Sequence, residues 1–154
     1  MPAERNPVKR ANAWLLDFSQ SFCAAVGTRV LLQIVDNPRL HPVPCAPQHC
    51  SSVFSWQGHL LPVVDMASIL GVEPQTPHLL AIVGYRELPG EPTRFGALLL
   101  AVPPVAIAVG DDDQSCMLPE HSQVWGKFAF SCFEQQDKAI PILHLARVFS
   151  PLNA

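Results

Sequence analysis

The residues best suited to chemistry lie in one proline-framed stretch of the chain, which holds three histidines and two cysteines. They are His41, Cys45, His49, Cys50 and His59. Imidazole and thiolate are the ligands that zinc prefers, but a structural zinc site needs four convergent donors, and this spacing within one loop matches no zinc finger. We therefore interpret these residues as surface histidines and free thiols, and we predict neither a metal nor a cofactor.

Two further sets of residues are candidates for chemistry, the cysteines as nucleophiles and a run of aspartates as calcium ligands. A cysteine hydrolase needs a thiol paired with a histidine beside an oxyanion hole, and none of the five cysteines follows a recognisable strand-to-helix elbow. Three consecutive aspartates at residues 111–113 lack the spaced ligands and the closing glutamate of a calcium loop, so a solvated turn is the better interpretation. The sequence thus predicts a protein that is not an enzyme.

Composition restricts the class of partner. The chain has 154 residues, which fits one domain, and a net charge of -3 with only ten scattered lysines and arginines. Because no basic stripe is available for a phosphate backbone, we expect no binding to nucleic acid. The charged fraction of 15% is low, so we expect the surface to meet other proteins.

Location follows from three features of the sequence. The apolar run at residues 95–110 is too short to span a membrane and is interrupted by Pro103 and Pro104, so we expect no membrane insertion. Residues 1–13 carry basic residues without an apolar run behind them, unlike a secretory signal. The cysteine number is odd and there is no CxxC motif. We expect a cytoplasmic protein whose thiols are free.

A ten-residue unit occurs twice in the chain. Residues 61–70 read LPVVDMASIL and residues 140–149 read IPILHLARVF. Each copy predicts a short strand buried on both faces, with its proline at an edge, a bulge or a strand start, followed by a helix of one or two turns. In the first copy Asp65 takes the N-cap position and Gly71 the left-handed position after the helix. In the second copy His144 takes the cap position, and it is a poorer acceptor.

Ten short apolar runs separated by turn signals predict an all-β protein, either a sandwich or small barrels. They lie at residues 14–18, 22–26, 30–35, 53–56, 60–64, 79–83, 95–102, 105–109, 128–133 and 140–143. The duplication favours two β lobes, with helix limited to the two caps and a candidate segment within residues 26–36. We predict a flexible N-terminal tail over residues 1–13, one domain over residues 14–154 and a linker at residues 74–77. Trp125, which precedes a glycine, is predicted to lie in the core.

Five motifs occur in a defined order along the chain. They are VPCAP at residues 43–47, SVFSWQG at 52–58, PVVDM at 62–66, FGALLLAV at 95–102 and IPILHLARVF at 140–149. In this order they resemble the CheW-type coupling proteins of bacterial chemosensory systems, including the adaptors of twitching pathways. The resemblance covers about residues 15–149.

The resemblance implies a fold of two intertwined SH3-like five-stranded β-barrels without catalytic activity. It implies a scaffold that joins the cytoplasmic tip of chemoreceptors to the regulatory domain of a CheA-type histidine kinase. An alternative function is a stand-alone CheW-like binding module whose partner is not a chemoreceptor. Genomic neighbours distinguish the two, because only the first requires a receptor and a kinase nearby.

The resemblance also indicates which residues bind protein. Val30 aligns with the groove that takes a receptor's helical hairpin, and the hairpin facing this groove would carry Val53 and Trp56. Gln57 and Gly58 form the turn of that hairpin. Trp56 is the expected interface anchor, since tryptophan is enriched at binding hot spots.

The chain departs from the family pattern at several of these positions. Gln57 stands where the family has an arginine, which removes a fork-shaped donor and a fixed positive charge. Cys45 and Ser52 stand where the family has glycines, Leu100 lies near an expected aspartate, and His144 replaces the second cap aspartate. We therefore interpret the chain as a divergent relative that serves a specialised pathway.

Overall fold

The computed structural model describes residues 10–19, 22–72, 79–110, 122–135 and 138–150. The strands within this part of the chain are β1 (Arg10–Ser19), β2 (Phe22–Gly27), β3 (Leu31–Asp36), β4 (His41–Pro42), β5 (Ser52–Trp56), β6 (His59–Val64), β7 (Leu79–Tyr85), β8 (Arg94–Leu100), β9 (Val105–Gly110), β10 (Ala129–Gln135) and β11 (Lys138–Leu143). The helices are α1 (Met66–Leu70), α2 (Ser122–Phe128) and α3 (Leu145–Val148), with a 3-10 turn at Gln48–Cys50.

The strands form two sheets that each combine both halves of the chain. One sheet has the order β10-β11-β2-β1-β9, and the other has the order β3-β7-β8-β6-β5-β4. Each half therefore contributes its opening hairpin, β1–β2 or β7–β8, to the sheet formed by the rest of the other half. The pairings are equivalent, because β1–β9 and β3–β7 are antiparallel whereas β2–β11 and β6–β8 are parallel. This exchange confirms the predicted all-β fold of two intertwined lobes, with the two-residue β4 as an extra strand.

The duplicated unit is longer than its ten-residue sequence signature. The backbone N–H of Asp65, before α1, donates to the carbonyl of His49 at 2.8 Å, and that of His144, before α3, donates to the carbonyl of Phe128 at 2.7 Å. The two acceptors lie in the 3-10 turn and in α2, which precede the two hairpins. Each unit is therefore a helical turn, a hairpin and a second helix, with the two helical segments joined by a backbone hydrogen bond.

The sequence predicted each proline of the duplicated unit at an edge, a bulge or a strand start, but both lie in the interior of strands that are themselves internal to their sheets. Pro62 pairs with β5, and the parallel pairing of β6 with β8 begins at the next residue, Val63. In the same way Pro141 pairs with β10, and Ile142 is the residue of β11 that pairs with β2. A residue without an N–H is tolerated here because it stands before the parallel ladder.

Three apolar clusters account for the continuous apolar character of the strands. The largest, which we call the shared core, contains side chains of both sheets, such as Leu16 of β1 and Leu98 of β8. Each of the two smaller clusters is formed within one sheet. The cluster of the six-stranded sheet also includes Leu40, from the loop before β4. Consecutive residues of β7 point to opposite faces of the sheet: Ala81 packs in the shared core, and Ile82 packs in the smaller cluster of the six-stranded sheet. A strand covered on both faces shows no alternation in its sequence.

The helix predictions were correct for the caps and wrong elsewhere. The candidate helix within residues 26–36 is instead the end of β2, a turn and β3. The sequence missed α2, which carries the buried Trp125, confirmed as a core residue. A seven-residue helix gives too few turns for a clear apolar stripe, whereas the β-branched residues of 30–35 suit the strand that they form.

The predicted N-terminal boundary needs correction. β1 begins at Arg10, four residues before the expected domain start at Trp14, because residues 10–13 continue the antiparallel ladder with β9. Residues 1–9, the linker predicted at 74–77 and the aspartates at 111–113 lie outside the described residues.

The two duplicated caps differ in the manner that the sequence predicted. The carboxylate of Asp65 accepts a hydrogen bond from the backbone N–H of Ser68 at 3.3 Å, and Gly71 has a φ of 72°. His144 makes no side-chain cap bond to α3. One copy of the unit therefore fixes its helix start with a side chain, and the other does so through backbone bonds alone.

We expect Asp65→Ala to lower the free energy of unfolding by about 1 kcal/mol, because it removes the acceptor for the first turn of α1. Asp65→Asn is the matched control, since an amide oxygen can occupy the same cap. Urea unfolding followed by tryptophan fluorescence measures both. An Asn variant as unstable as the Ala variant would show that the charge of Asp65, and not its cap bond, stabilises the helix.

Candidate functional site

The hairpin of β5 and β6 is the best-defined exposed feature among the predicted site residues. Gln57 and Gly58 join the strands with φ values of 49° and 80°, and Trp56 pairs with His59 across the turn. Two successive positive φ values define a type I′ turn, whose twist matches that of the flanking strands. The tight turn predicted from the Gln-Gly dipeptide is present, and it sets the register of the hairpin.

Trp56 is held in place from two sides. Its indole N–H donates to the side-chain oxygen of Gln33 in β3 at 3.0 Å. Its ring centroid lies 5.4 Å from that of Phe95, at an interplanar angle of 54°. The side chain is half-buried, so part of the indole faces solvent. A fixed aromatic ring with one free surface suits a binding anchor, because little conformational entropy is lost on binding.

The bond between Trp56 and Gln33 also joins two strands that are not neighbours in the sheet. β3 is an edge strand, and β5 lies four strands away in the sheet order. In the other lobe the Gln135 amide of β10 donates to the carbonyl of Ala108 in β9 at 2.9 Å. β10 and β9 hold the corresponding places in that sheet. In both lobes a side chain bridges these strands, where the sheet has no backbone ladder.

Val30 lies in the turn before β3, separated from the hairpin tip. Its N–H donates to the carbonyl of Gly27 at 3.1 Å, and its carbonyl accepts from the N–H of Gly84 at 3.0 Å. Its side chain is half-buried against the shared core, whereas Trp56 packs in the cluster of its own lobe. Gln33, the hydrogen-bond partner of Trp56, lies in β3, which begins directly after Val30.

The remaining predicted residues occupy two places. Gln57 and Gly58 are exposed at the hairpin tip beside Trp56, and a Cβ on Gly58 would meet nothing within 4 Å. Val53 is half-buried in β5, paired with His41 and Pro62. The structure thus brings together Trp56, Gln57 and Gly58 at the hairpin tip, while Val30 and Val53 lie elsewhere.

The sequence missed two exposed apolar residues on the edge strands. Leu32 of β3 keeps 45% of its surface accessible, and Val105 of β9 keeps 56%. β3 and β9 occupy equivalent edges of the two sheets. Leu32 lies within the run at residues 30–35 that predicted a strand, but continuous apolar runs do not show which alternate residue points outward.

The cysteine and histidine stretch has no shared centre in the structure. Cys45 is exposed with a φ of 60°, at the position where the resembling family has glycine. Burial raises the pKa of the Cys50 thiol. Cys45 and Cys50 are free thiols, Cys23 and Cys132 are buried, and no group of three metal-ligating side chains occurs within the described ranges.

None of the helices in the described ranges is long and apolar enough to cross a membrane.

Comparisons with known proteins agree with this architecture. A family model described as the CheW-like domain matches residues 23–150. The crystal structure of the scaffolding protein TtCheW from Thermoanaerobacter tengcongensis is similar, with a TM-score of 0.71 and 16% sequence identity over 92% of this chain and 94% of that chain. At this identity the match concerns the fold. No curated protein sequence matches the chain significantly.

We expect Gln57→Asn to raise the free energy of unfolding by about 0.5–1 kcal/mol, because asparagine tolerates the left-handed region better than glutamine does. Gln57→Arg serves as the control and should leave stability unchanged, since both side chains are straight and equally disfavoured there. Thermal unfolding monitored by circular dichroism measures the difference. Equal stability of all three proteins would contradict a strained turn residue.

Proposed function

Because the chain belongs to the family of CheW-like domains, whose model spans residues 23–150, we propose that it couples chemoreceptors to a CheA-type histidine kinase. The family is one of non-catalytic chemotaxis scaffolds. A scaffold must present separate surfaces to its partners at the same time. We assign the receptor contact to the start of β3 and the kinase contact to the tip of the β5–β6 hairpin, both acting in the cytoplasm.

The observation that carries this proposal is the rigidity of the hairpin tip. The type I′ turn fixes the backbone of Gln57 and Gly58, and the bond to Gln33 fixes the indole of Trp56. Side chains that are ordered before binding lose less entropy when a partner docks. The tip therefore presents a preorganised aromatic and amide surface to the regulatory domain of the kinase.

The receptor surface is supported by apolar exposure at the start of β3. Val30 is half-buried and its backbone is bonded to Gly27 and Gly84, and Leu32 is 45% exposed where the register between β3 and β7 shifts. A helical hairpin can lay an apolar stripe against such residues, as in other groove-binding modes. In the other sheet the equivalent edge strand β9 carries a similarly exposed apolar residue, Val105.

Gln57 changes the chemistry of the kinase contact. The amide can donate and accept hydrogen bonds, but it carries no charge and cannot form the paired bonds of a guanidinium with a carboxylate. We propose that this protein binds its kinase through the indole and neutral hydrogen bonds, and that its cognate kinase lacks an acidic partner at this position.

We expect a charge at the receptor surface to weaken receptor binding about tenfold, because an interface charge without a partner is costly. Leu32→Asp is the main variant, since Leu32 is exposed and its replacement spares the core; Val30→Asp is the second. Leu88→Asp, at an exposed residue of the loop that joins β7 to β8, is the matched control. Binding is measured by calorimetry with a receptor-tip fragment from the native host, and urea unfolding checks each variant.

Two outcomes would contradict the receptor assignment. Either Leu32→Asp binds the receptor as well as the unmodified protein does, or the Leu88→Asp control loses binding equally. If Val30→Asp unfolds while Leu32→Asp binds normally, Val30 is a core residue only. If neither a receptor fragment nor a kinase domain of the host binds the unmodified protein, the chain is a stand-alone module with another partner.

The same calorimetry tests the hairpin tip. We expect Gln57→Arg to change kinase affinity by less than about threefold, since a guanidinium without a facing carboxylate gains little at an exposed site. A gain of tenfold or more would show that the kinase still carries the acidic partner, against the assignment made for Gln57.

A further inference from the structure

A second surface, remote in the chain from the predicted site residues, combines a cleft with positive charge. An open cleft of about 570 Å³ lies between the loop that joins β7 to β8 and the helices α2 and α3. The loop contributes Glu87 and Leu88, α2 contributes Lys127, and His144 and Arg147 come from the start of α3 and from α3 itself. None of Val30, Val53, Trp56, Gln57 and Gly58 lines it.

The charges of the cleft favour an acidic ligand. Lys127 and Arg147 are both exposed in this region. Among the described residues that line the cleft the acidic one is Glu87, which forms an ion pair with Arg94 at 3.0 Å. In this described lining two basic side chains outnumber one acidic side chain, although the whole chain has a formal net charge of -3. Such a local excess of positive charge attracts carboxylates.

Apolar side chains stand beside these charges. Leu88 is 63% exposed, and the turn that presents it is closed by a bond from the Glu91 N–H to the Leu88 carbonyl at 3.2 Å. Phe130 is 67% exposed, and its ring stacks on the imidazole of His144 with centroids 4.0 Å apart. Exposed large apolar residues that adjoin a concave surface are typical of binding sites.

His144 acts as an aromatic wall of the cleft. Partial burial, together with the nearby Arg147, lowers the pKa of the imidazole. It is therefore neutral at neutral pH and offers a flat ring rather than a cation. In the first duplicated unit Asp65 at this position caps its helix, but His144 makes no cap bond and stacks on Phe130 instead.

The walls of the cleft are fixed relative to one another. Phe149, directly after α3, stacks on Tyr85 at the end of β7 with centroids 5.2 Å apart and an interplanar angle of 11°. The same ring covers Gly96 of β8 so closely that an added Cβ would come within 2.4 Å of it. These contacts hold α3 against β7 and β8, whose connecting loop carries Leu88. The cleft is therefore formed before a ligand binds.

We propose that this cleft binds an acidic peptide segment of a partner protein that carries an apolar or aromatic anchor residue. The anchor packs against Leu88 and the stacked pair of Phe130 and His144, and flanking carboxylates approach Lys127 and Arg147. The site does not rest on the proposed function, because it shares no residue with the receptor and kinase surfaces. It would give the scaffold a third contact.

The test uses the full chain and the fluorescein-labelled peptide EELFEE, with binding followed by fluorescence polarisation at low salt. We expect Lys127→Glu to weaken binding about fivefold, as a reversed charge at a solvent-exposed pair does. We expect Leu88→Ser to weaken it about fivefold through lost apolar contact. Arg39→Glu makes the same change of charge at an exposed residue outside the cleft, and it should change affinity by less than about twofold.

Four results would overturn the proposal. They are absence of binding, equal binding of the reversed peptide KKLFKK, equal binding of the anchor-free peptide EEGGEE, and a loss with Arg39→Glu as large as with Lys127→Glu. Preference for vesicles of phosphatidylserine over the peptide would identify a membrane surface and equally reject a peptide site. Circular dichroism confirms that each variant is folded.

The same variants separate this proposal from the proposed function. Leu88→Ser and Lys127→Glu should bind the receptor fragment and the kinase domain with unchanged affinity, because neither residue lies on β3 or at the hairpin tip. Leu32→Asp should in turn bind the acidic peptide normally. A failure of one site therefore leaves the result for the other intact.

Discussion

Burial of the shared core between the two sheets is the constraint on which the rest of the structure depends. Leu16 and Leu98, from different sheets, both pack there without exposure to solvent. Because each half of the chain gives its opening hairpin to the other sheet, neither half can cover its apolar faces alone. The two lobes are consequently one cooperative unit, because each sheet is completed by a hairpin from the other half of the chain.

The duplicated halves share their backbone bonds and strand pairings but differ in their cap residues. The backbone bonds that precede α1 and α3 are the same in both, as are the parallel and antiparallel pairings. The cap residues differ, because Asp65 bonds to its own helix while His144 turns its ring towards Phe130. The second unit has no side-chain cap, its His144 contributes to the surface instead, and the close contact of Phe149 with Gly96 holds α3 in place.

The features that could be predicted from the sequence are those that depend on residues close together in the chain. The Gln57-Gly58 turn, the Asp65 cap and most strands follow from the conformational preferences of a few adjacent residues. The exchange of hairpins and the bond from Trp56 to Gln33, 23 residues apart, depend on pairing between distant segments. α2 was missed because it is short, and the start of β1 because its partner β9 is distant in the chain. The candidate site was therefore predicted at its turn but not at the exposed edge residue Leu32.

Trp56 has both a structural role in its lobe and a candidate binding role at this hairpin. Its indole N–H bridges β5 to β3, its ring packs on Phe95, and its remaining surface faces solvent. Truncation of Trp56 would remove the bridge and the exposed anchor together, so a loss of binding could not be assigned to either. Gln57 and Leu32 lack this double role, since both are exposed, and neither makes a side-chain hydrogen bond within the described part of the chain. Substitutions at these two residues therefore test partner contact directly, whereas a substitution of Trp56 first removes the hydrogen bond that joins β5 to β3.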